Sequence, residues 1–209
     1  MKEGMNLNHN ILKSTPFGYG LAVIFLAISF YWQPIDFWIL FPLSLFILTI
    51  YAFSCIQMDV RAINLNGWLV GVMSGILLYL LFAFGKWMIE VTGLPLMEQL
   101  QALYTLVQPS AAIHYVCLFL IIIPGEEWFW RGFIVNRLLT RYTPMKAALF
   151  GTGLYAFAHV FAGSILLVLA ALIAGFVWSY IYVKTRNLWI AIISHLVFDL
   201  FLLLLFPLL

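Results

Sequence analysis

The stretch Ile165–Val183 reads ILLVLAALIAGFVWSYIYV and contains no charged residue. A helix needs about 20 mostly apolar residues to cross the hydrocarbon of a bilayer, and this segment has that length. The pattern recurs on both sides of it. Further stretches run Pro16–Trp32, Asp36–Ile56, Gly67–Ile89, Ala111–Leu139, Met145–Phe161 and Leu188–Leu209. The apolar runs are continuous and do not alternate, so a β-barrel is excluded. Composition agrees: 65% of the 209 residues are hydrophobic and 9% charged, where a soluble domain averages about 45–50% and about 25%. Mean hydropathy is +1.07. Eighteen charged side chains cannot cover a soluble globule of this size. A soluble enzyme, a nucleic-acid-binding protein and a disordered chain are thereby excluded. The net charge of +2 is too small to call for a polyanionic partner. The expected fold is an all-α polytopic bundle of about seven transmembrane helices, one integral membrane domain over residues 1–209.

The first span is expected to stay uncleaved, since no small-residue site precedes its end. Cys55 and Cys117 lie far apart in apolar runs and give no disulfide or zinc spacing. With the N-terminus in the cytoplasm, the inside segments carry Lys2, Lys13, Arg61, Arg137, Arg141, Lys146, Lys184 and Arg186, and the outside ones only Lys86. This positive-inside bias predicts a cell-membrane protein with its C-terminus outside. Between spans three and four, Leu96, Met97, Leu100, Leu103, Tyr104 and Val107 share one helical face, with polar residues elsewhere. That pattern predicts an amphipathic helix on the outer interface, a surface strap in preference to a lid. Gly67, Gly71 and Gly75 repeat at four-residue spacing, which lets helices approach closely. Packing within the bundle is the expected use, and homodimerisation the weaker alternative.

The exceptions to hydropathy carry the functional signal. An ionisable group in the hydrocarbon costs at least about 2.5–3.5 kcal/mol on insertion scales. Glu126, Glu127 and Arg131 stand in span four, His159 in span five, and His195 and Asp199 in span seven. At about 1.5 Å per residue, Glu126 and His159 lie about 20 Å from the cytoplasmic ends of their spans, and His195 and Asp199 about 11–17 Å. Three helices thus bring polar groups to overlapping depths, which predicts one shared cavity. Glu127 and Arg131 are four apart in the order a helical ion pair prefers, and a structural pair is expected. His195 and Asp199 have the same spacing. Glu126 has no local partner, and Pro124-Gly125 just before it removes a backbone donor and kinks the span. His114, alone near the outer end of span four, reads as a satisfied interfacial histidine.

At these residues the sequence resembles a known family. EEWFWR (Glu126 to Arg131), YAFAH (Tyr155 to His159) and HLVFD (His195 to Asp199) are similar to the three motifs of the CPBP family. These are the type II CAAX prenyl endopeptidases, also called Abi, which include bacteriocin-processing and immunity-associated membrane proteins. The trio occurs in order on separate spans, and the resemblance runs from about Ala111 onward. It implies intramembrane proteolysis of a hydrophobic or lipidated peptide. By that resemblance, Glu126 would activate a water and His159 would hold it. His195 and Asp199 would stabilise the oxyanion, and Glu127, Arg131 and Tyr155 would support the site. Fixed donors in a dry site suit such a task.

Two positions depart from the family pattern. Tyr155 replaces the usual phenylalanine and gains a hydroxyl. Asp199 stands where the characterised CAAX proteases have asparagine, and an ionised carboxylate cannot donate to an oxyanion. Either Asp199 is protonated or it works through His195; the second is expected, with Asp199 accepting from one ring nitrogen and aiming the other at the oxyanion.

A zinc site from Glu126, His159 and His195 is the competing chemistry. No HExxH-type spacing supports it, so no cofactor is expected. Two other classes compete with the protease. One is a non-catalytic immunity or scaffold protein of the same family. The other is a proton-coupled transporter, against which the chain shows no internal repeat.

Overall fold

The computed structural model describes residues 15–56 and 61–209 with their side chains, and the backbone of residues 2–14. Every regular element among them is helical. Helix α1 spans Lys2–Ala27 and runs on through a π turn to Trp32. Helix α2 is Phe37–Cys55, α3 is Leu65–Thr92, and α4 is the short Met97–Val107. Helix α5 covers Ala112–Leu138. Helix α6 is Pro144–Ala158, α7 is Ile165–Thr185, and α8 is Leu188–Leu205.

Six of these are long and apolar enough to cross a bilayer: Thr15–Trp32 of α1, and α2, α3, α5, α7 and α8. The seventh expected span is α6. It holds 15 α-helical residues and then tightens into a 3-10 turn, His159–Ala162, closed by Gly163 at φ 66°. Polar caps mark the helix starts. Asp36 accepts from the Trp38 N–H, Asn64 from Gly67, and Asn187 from Trp189. Each satisfies a backbone donor that has no partner within its own helix.

Helix α3 packs along α8, and its glycines make this approach possible. A Cβ on Gly71 would lie 2.8 Å from the Ile193 side chain, and one on Gly75 would lie 2.5 Å from the Ser194 carbonyl. The small-residue face is therefore taken up within the chain, by the helix that carries His195. The opposite face of α3, including Leu77, Leu80, Leu81 and Phe84, is exposed as a lipid-facing surface requires. Helix α4 is the expected strap. Its Tyr104 is buried, donates to the Leu202 carbonyl, and accepts from the Leu208 N–H. His114 is satisfied by stacking flat on Trp38, 4.5 Å between ring centroids, while its Nδ1 accepts from the Ser110 N–H.

Helix α5 is irregular where the polar residues begin. Leu118–Ile122 is a π segment, Ile123–Glu127 returns to α geometry, and Trp128–Val135 is π again. Pro124 lacks the N–H that regular winding needs, and single-turn π bulges absorb such defects. Gly125 lets α2 come close: a Cβ there would lie 3.0 Å from Thr49 Oγ1. The acidic pair thus sits in a short α turn braced against α2.

Candidate active site

Four helices assemble the cluster. Helix α5 supplies Glu126, Glu127 and Arg131, and the end of α6 supplies Tyr155 and His159. Helix α8 supplies His195 and Asp199, and α7 closes the rear with Gly175 and Trp178.

The two glutamates do different things. Glu127 is fully buried. Its Oε1 accepts from Arg131 Nη1 at 3.0 Å and from His195 Nδ1 at 2.9 Å. The expected Glu127–Arg131 pair exists, and it also holds a histidine from another span. Arg131 donates a second hydrogen bond to the Gly175 carbonyl at 3.1 Å, and its guanidinium lies over the rings of Tyr155 and Trp178 at 4.6 and 5.2 Å. A buried charge is tolerated only when paired and hydrogen-bonded, and these contacts pair both charges while leaving Glu127 Oε2 and Arg131 Nε without a hydrogen-bond partner among the described residues.

Glu126 faces the open side of the cluster. Its Oε1 accepts from the Tyr155 hydroxyl at 3.2 Å. His159 Nε2 lies 3.9 Å from the same oxygen, and His195 Nε2 lies 3.8 Å from Oε2. The carboxylate is flanked by two imidazoles whose Nε2 atoms both turn toward it. Side-chain exposure rises from 0% at Glu127 and Arg131 through 8% at Glu126 to 13% at Asp199, so the cluster opens on the Asp199 side.

Local geometry fixes each ring. Where α6 tightens into the 3-10 turn, the His159 N–H turns to the Ala156 carbonyl. The Tyr155 carbonyl is left to accept from His159 Nδ1 at 2.8 Å. Carbonyls only accept, so Nδ1 carries a proton, and in this tautomer the uncharged ring would present a lone pair at Nε2. On His195, Nδ1 is committed to Glu127 in the same way. The expected pairing of Asp199 with His195 is present. Asp199 Oδ2 faces Nε2 at 3.5 Å, the nitrogen that also faces Glu126. The ring is oriented by Glu127, because α8 packs against the α turn holding the acidic pair and brings Nδ1 to it.

Hydropathy and motif spacing missed four contributors. The Trp178 ring stacks on His195 with centroids 3.7 Å apart and planes 18° apart. Its Nε1 donates to Ser194 Oγ at 3.2 Å, and Ser74 of α3 donates to the same oxygen at 2.9 Å. Gly175 leaves the room that Tyr155 and Arg131 occupy: a Cβ there would lie 2.7 Å from the Tyr155 ring. In an apolar span a tryptophan and a glycine are unremarked, and only the packing of α7 on α6 gives them this place.

The donor types of Glu126, His159 and His195 suit zinc. Among the described residues, however, no three His, Cys, Asp or Glu side chains are grouped so as to hold a metal ion. The chemistry is therefore derived from the side chains themselves. The arrangement offers a carboxylate to take a proton, a neutral imidazole lone pair beside it, and a second imidazole able to donate when charged.

No curated protein and no solved structure matches the chain. One family model does, described as Type II CAAX prenyl endopeptidase Rce1-like, and it spans residues 108–201. That segment contains Glu126, Glu127, Arg131, Tyr155, His159, His195 and Asp199, so the part of the chain that is similar to this Rce1-like family is the part that builds the cluster.

Proposed function

We propose that the chain is an intramembrane endopeptidase that hydrolyses one peptide bond of a hydrophobic or lipidated peptide. One observation carries this reading: Glu126 lies between the Nε2 atoms of His159 and His195, at 3.9 and 3.8 Å, in a cluster drawn from three separate spans. The match of residues 108–201 to a peptidase family model supports it. Both separations are too long for a direct hydrogen bond and suit bridging through water.

A water between Glu126 and His159 would donate one O–H to the carboxylate and the other to the His159 lone pair. Its own lone pair would then be free for a carbonyl carbon. Attack forms the C–O bond as Glu126 takes the proton. The carbonyl oxygen becomes an oxyanion, and His195 as imidazolium donates to it from Nε2. Glu126 then returns its proton to the amine nitrogen as the C–N bond breaks, giving a carboxylic acid and an amine. Proton transfer by a positioned carboxyl group contributes about 10²–10⁴-fold. A single preorganised oxyanion donor contributes about 10²–10³-fold.

The charges favour this assignment of His195. Its ring is hydrogen-bonded to Glu127, faces Asp199, and stacks on the Trp178 indole, each of which stabilises a cation. Asp199 then serves as a counter-charge at the open edge of the site. The positive-inside bias supports cleavage near the cytoplasmic side, and the lipid-facing surface suits a substrate held in the bilayer.

The test is proteomic. Membrane peptides are compared between cells carrying the wild-type chain and cells carrying Glu126→Ala at equal abundance. The proposal expects specific uncut peptides to accumulate with the variant. An unchanged peptide profile together with a retained biological effect would make the chain a non-catalytic scaffold.

A further inference from the structure

A second polar site lies at the end of the bundle where α5 finishes, α6 begins and α7 finishes. A cavity of about 380 Å³ opens there, lined by Asn136, Arg137, Thr140 and Arg186 on its polar side and by apolar residues including Ile56 and Val183. It contains none of the residues of the candidate active site. We propose that this cavity binds the phosphoryl group of an anionic phospholipid.

The first argument is charge. Two guanidinium side chains line the cavity, and among the described residues no lining residue is acidic. Arg137 is only 9% exposed. It donates to the Cys55 carbonyl, but its buried Nε has no hydrogen-bond partner among the described residues. A guanidinium carries five donors, and a buried one without a counter-charge is costly. No carboxylate pairs with it among the described residues.

The second argument is backbone strain. Arg186 sits at φ 54°, a left-handed conformation that non-glycine residues seldom adopt. Its Nη2 donates to Asn136 Oδ1 at 2.9 Å, and its guanidinium lies 5.5 Å from the Tyr182 ring centroid. Asn136 is the chain neighbour of Arg137, and both arginines line the same cavity. Paired guanidiniums match the geometry of phosphate oxygens, which they bind through parallel N–H donors.

The third argument is position. The cavity lies where the spans of α5 and α7 end, at Leu138 and Thr185, which is the depth of lipid headgroups. Ile56, Leu139 and Val183 give it an apolar wall, and the exposed Tyr142 ring stands beside them as aromatic residues do at membrane interfaces. A soluble phosphate compound needs no such wall, whereas a glycerophospholipid does. The inference is independent of proteolysis.

The test uses the full chain in detergent micelles, with bound lipid counted by native mass spectrometry. Dioleoylphosphatidic acid, dioleoylphosphatidylcholine and inorganic phosphate are separate arms. Arg186→Gly removes one guanidinium at a backbone position that glycine accepts readily. Arg137→Gln removes the other, and Lys146→Gln, outside the cavity, controls for surface charge. The expected result is about tenfold better retention of phosphatidic acid than of phosphatidylcholine. Each arginine variant should lose that preference while Lys146→Gln keeps it, and equimolar inorganic phosphate should not displace the lipid. Thermal unfolding of each variant shows that it is folded; if Arg137→Gln is not, Arg186→Gly decides. Equal retention of the two lipids, or an unchanged preference in Arg186→Gly, would overturn the proposal. Displacement by equimolar inorganic phosphate would overturn the lipid assignment and give the cavity to soluble phosphates.

Discussion

His195 Nδ1 donates to Glu127 Oε1 at 2.9 Å, across 68 positions of sequence, and the same oxygen accepts from Arg131 at 3.0 Å. This relationship divides the acidic pair. Glu127 is a fixed structural anion that orients a histidine, and Glu126 is left facing the open side. Replacing Glu127 by Gln keeps an acceptor and removes the charge. Hydrogen bonds to charged groups are worth about 1.5–3 kcal/mol, so peptide cleavage should fall by about 10–100-fold with the protein folded. Glu127→Ala should also lower stability by about 3–5 kcal/mol, because Arg131 is left buried and unpaired. Cleavage rates and thermal unfolding in detergent separate the two effects.

Tyr155 donates to Glu126 through its hydroxyl and to nothing else in the cluster. Its backbone carbonyl, which holds His159, does not depend on the side chain. Tyr155→Phe should therefore keep cleavage within about tenfold of wild type, the worth of one neutral hydrogen bond. Tyr155→Ala should destabilise by about 3–5 kcal/mol, since the ring fills the space left by Gly175 and supports Arg131. Loss of cleavage in a folded Tyr155→Phe protein would give the hydroxyl a direct part in the reaction.

Asp199 Oδ2 faces His195 Nε2 at 3.5 Å while Glu127 holds Nδ1, so Asp199→Asn should leave substantial cleavage, again within about tenfold. The measurement is kcat/KM on one peptide substrate for both proteins. If asparagine abolished cleavage while folding was normal, Asp199 would be more than a counter-charge.

Trp178 should matter in proportion to its ring. The stack on His195 is expected to contribute about 0.5–2 kcal/mol. Trp178→Phe should lose less than Trp178→Leu, and the latter about tenfold in kcat with KM little changed. An equal loss in both variants would assign the effect to the Nε1 bond with Ser194 instead.

Gly75→Ala tests the packing of α3 on α8. Its Cβ would meet the Ser194 carbonyl, which is backbone and cannot swing aside. Overpacking of this kind costs about 1–3 kcal/mol, and here it also displaces the neighbour of His195. Lower thermal stability and lower cleavage are expected together. Unaltered stability would mean that the glycine face is not occupied by α8 in the membrane.

The sequence made the membrane fold plain, because charge-free runs of span length have few other uses. Six spans have their expected positions to within three residues, apart from the C-terminal end of the last. The shortness of α6 was not legible, since hydropathy does not register the tightening to a 3-10 turn at His159. The π segments around Glu126 were hinted at by Pro124 and not located by it. Six ionisable residues were singled out because each is expensive in hydrocarbon, and Glu127, Arg131 and His195 proved to be directly bonded. The four-residue spacing within α8 pointed to Asp199 beside His195, where it lies at 3.5 Å, whereas the bond of Glu127 to Nδ1 depends on the crossing of α5 and α8, which no spacing registers. Trp178 and Gly175 gave no signal, since an apolar span uses both freely.

The central claim is that Glu126 and His159 activate water for peptide hydrolysis, and a purified-protein assay reaches it most directly. Wild type, Glu126→Gln and His159→Ala, each reconstituted in lipid vesicles with a fluorogenic membrane peptide cut by the wild type, are followed for release of the cleaved fragment. The account predicts loss of at least about 10²-fold in both variants, with insertion and thermal unfolding unchanged. Cleavage by folded Glu126→Gln at the wild-type rate would contradict it.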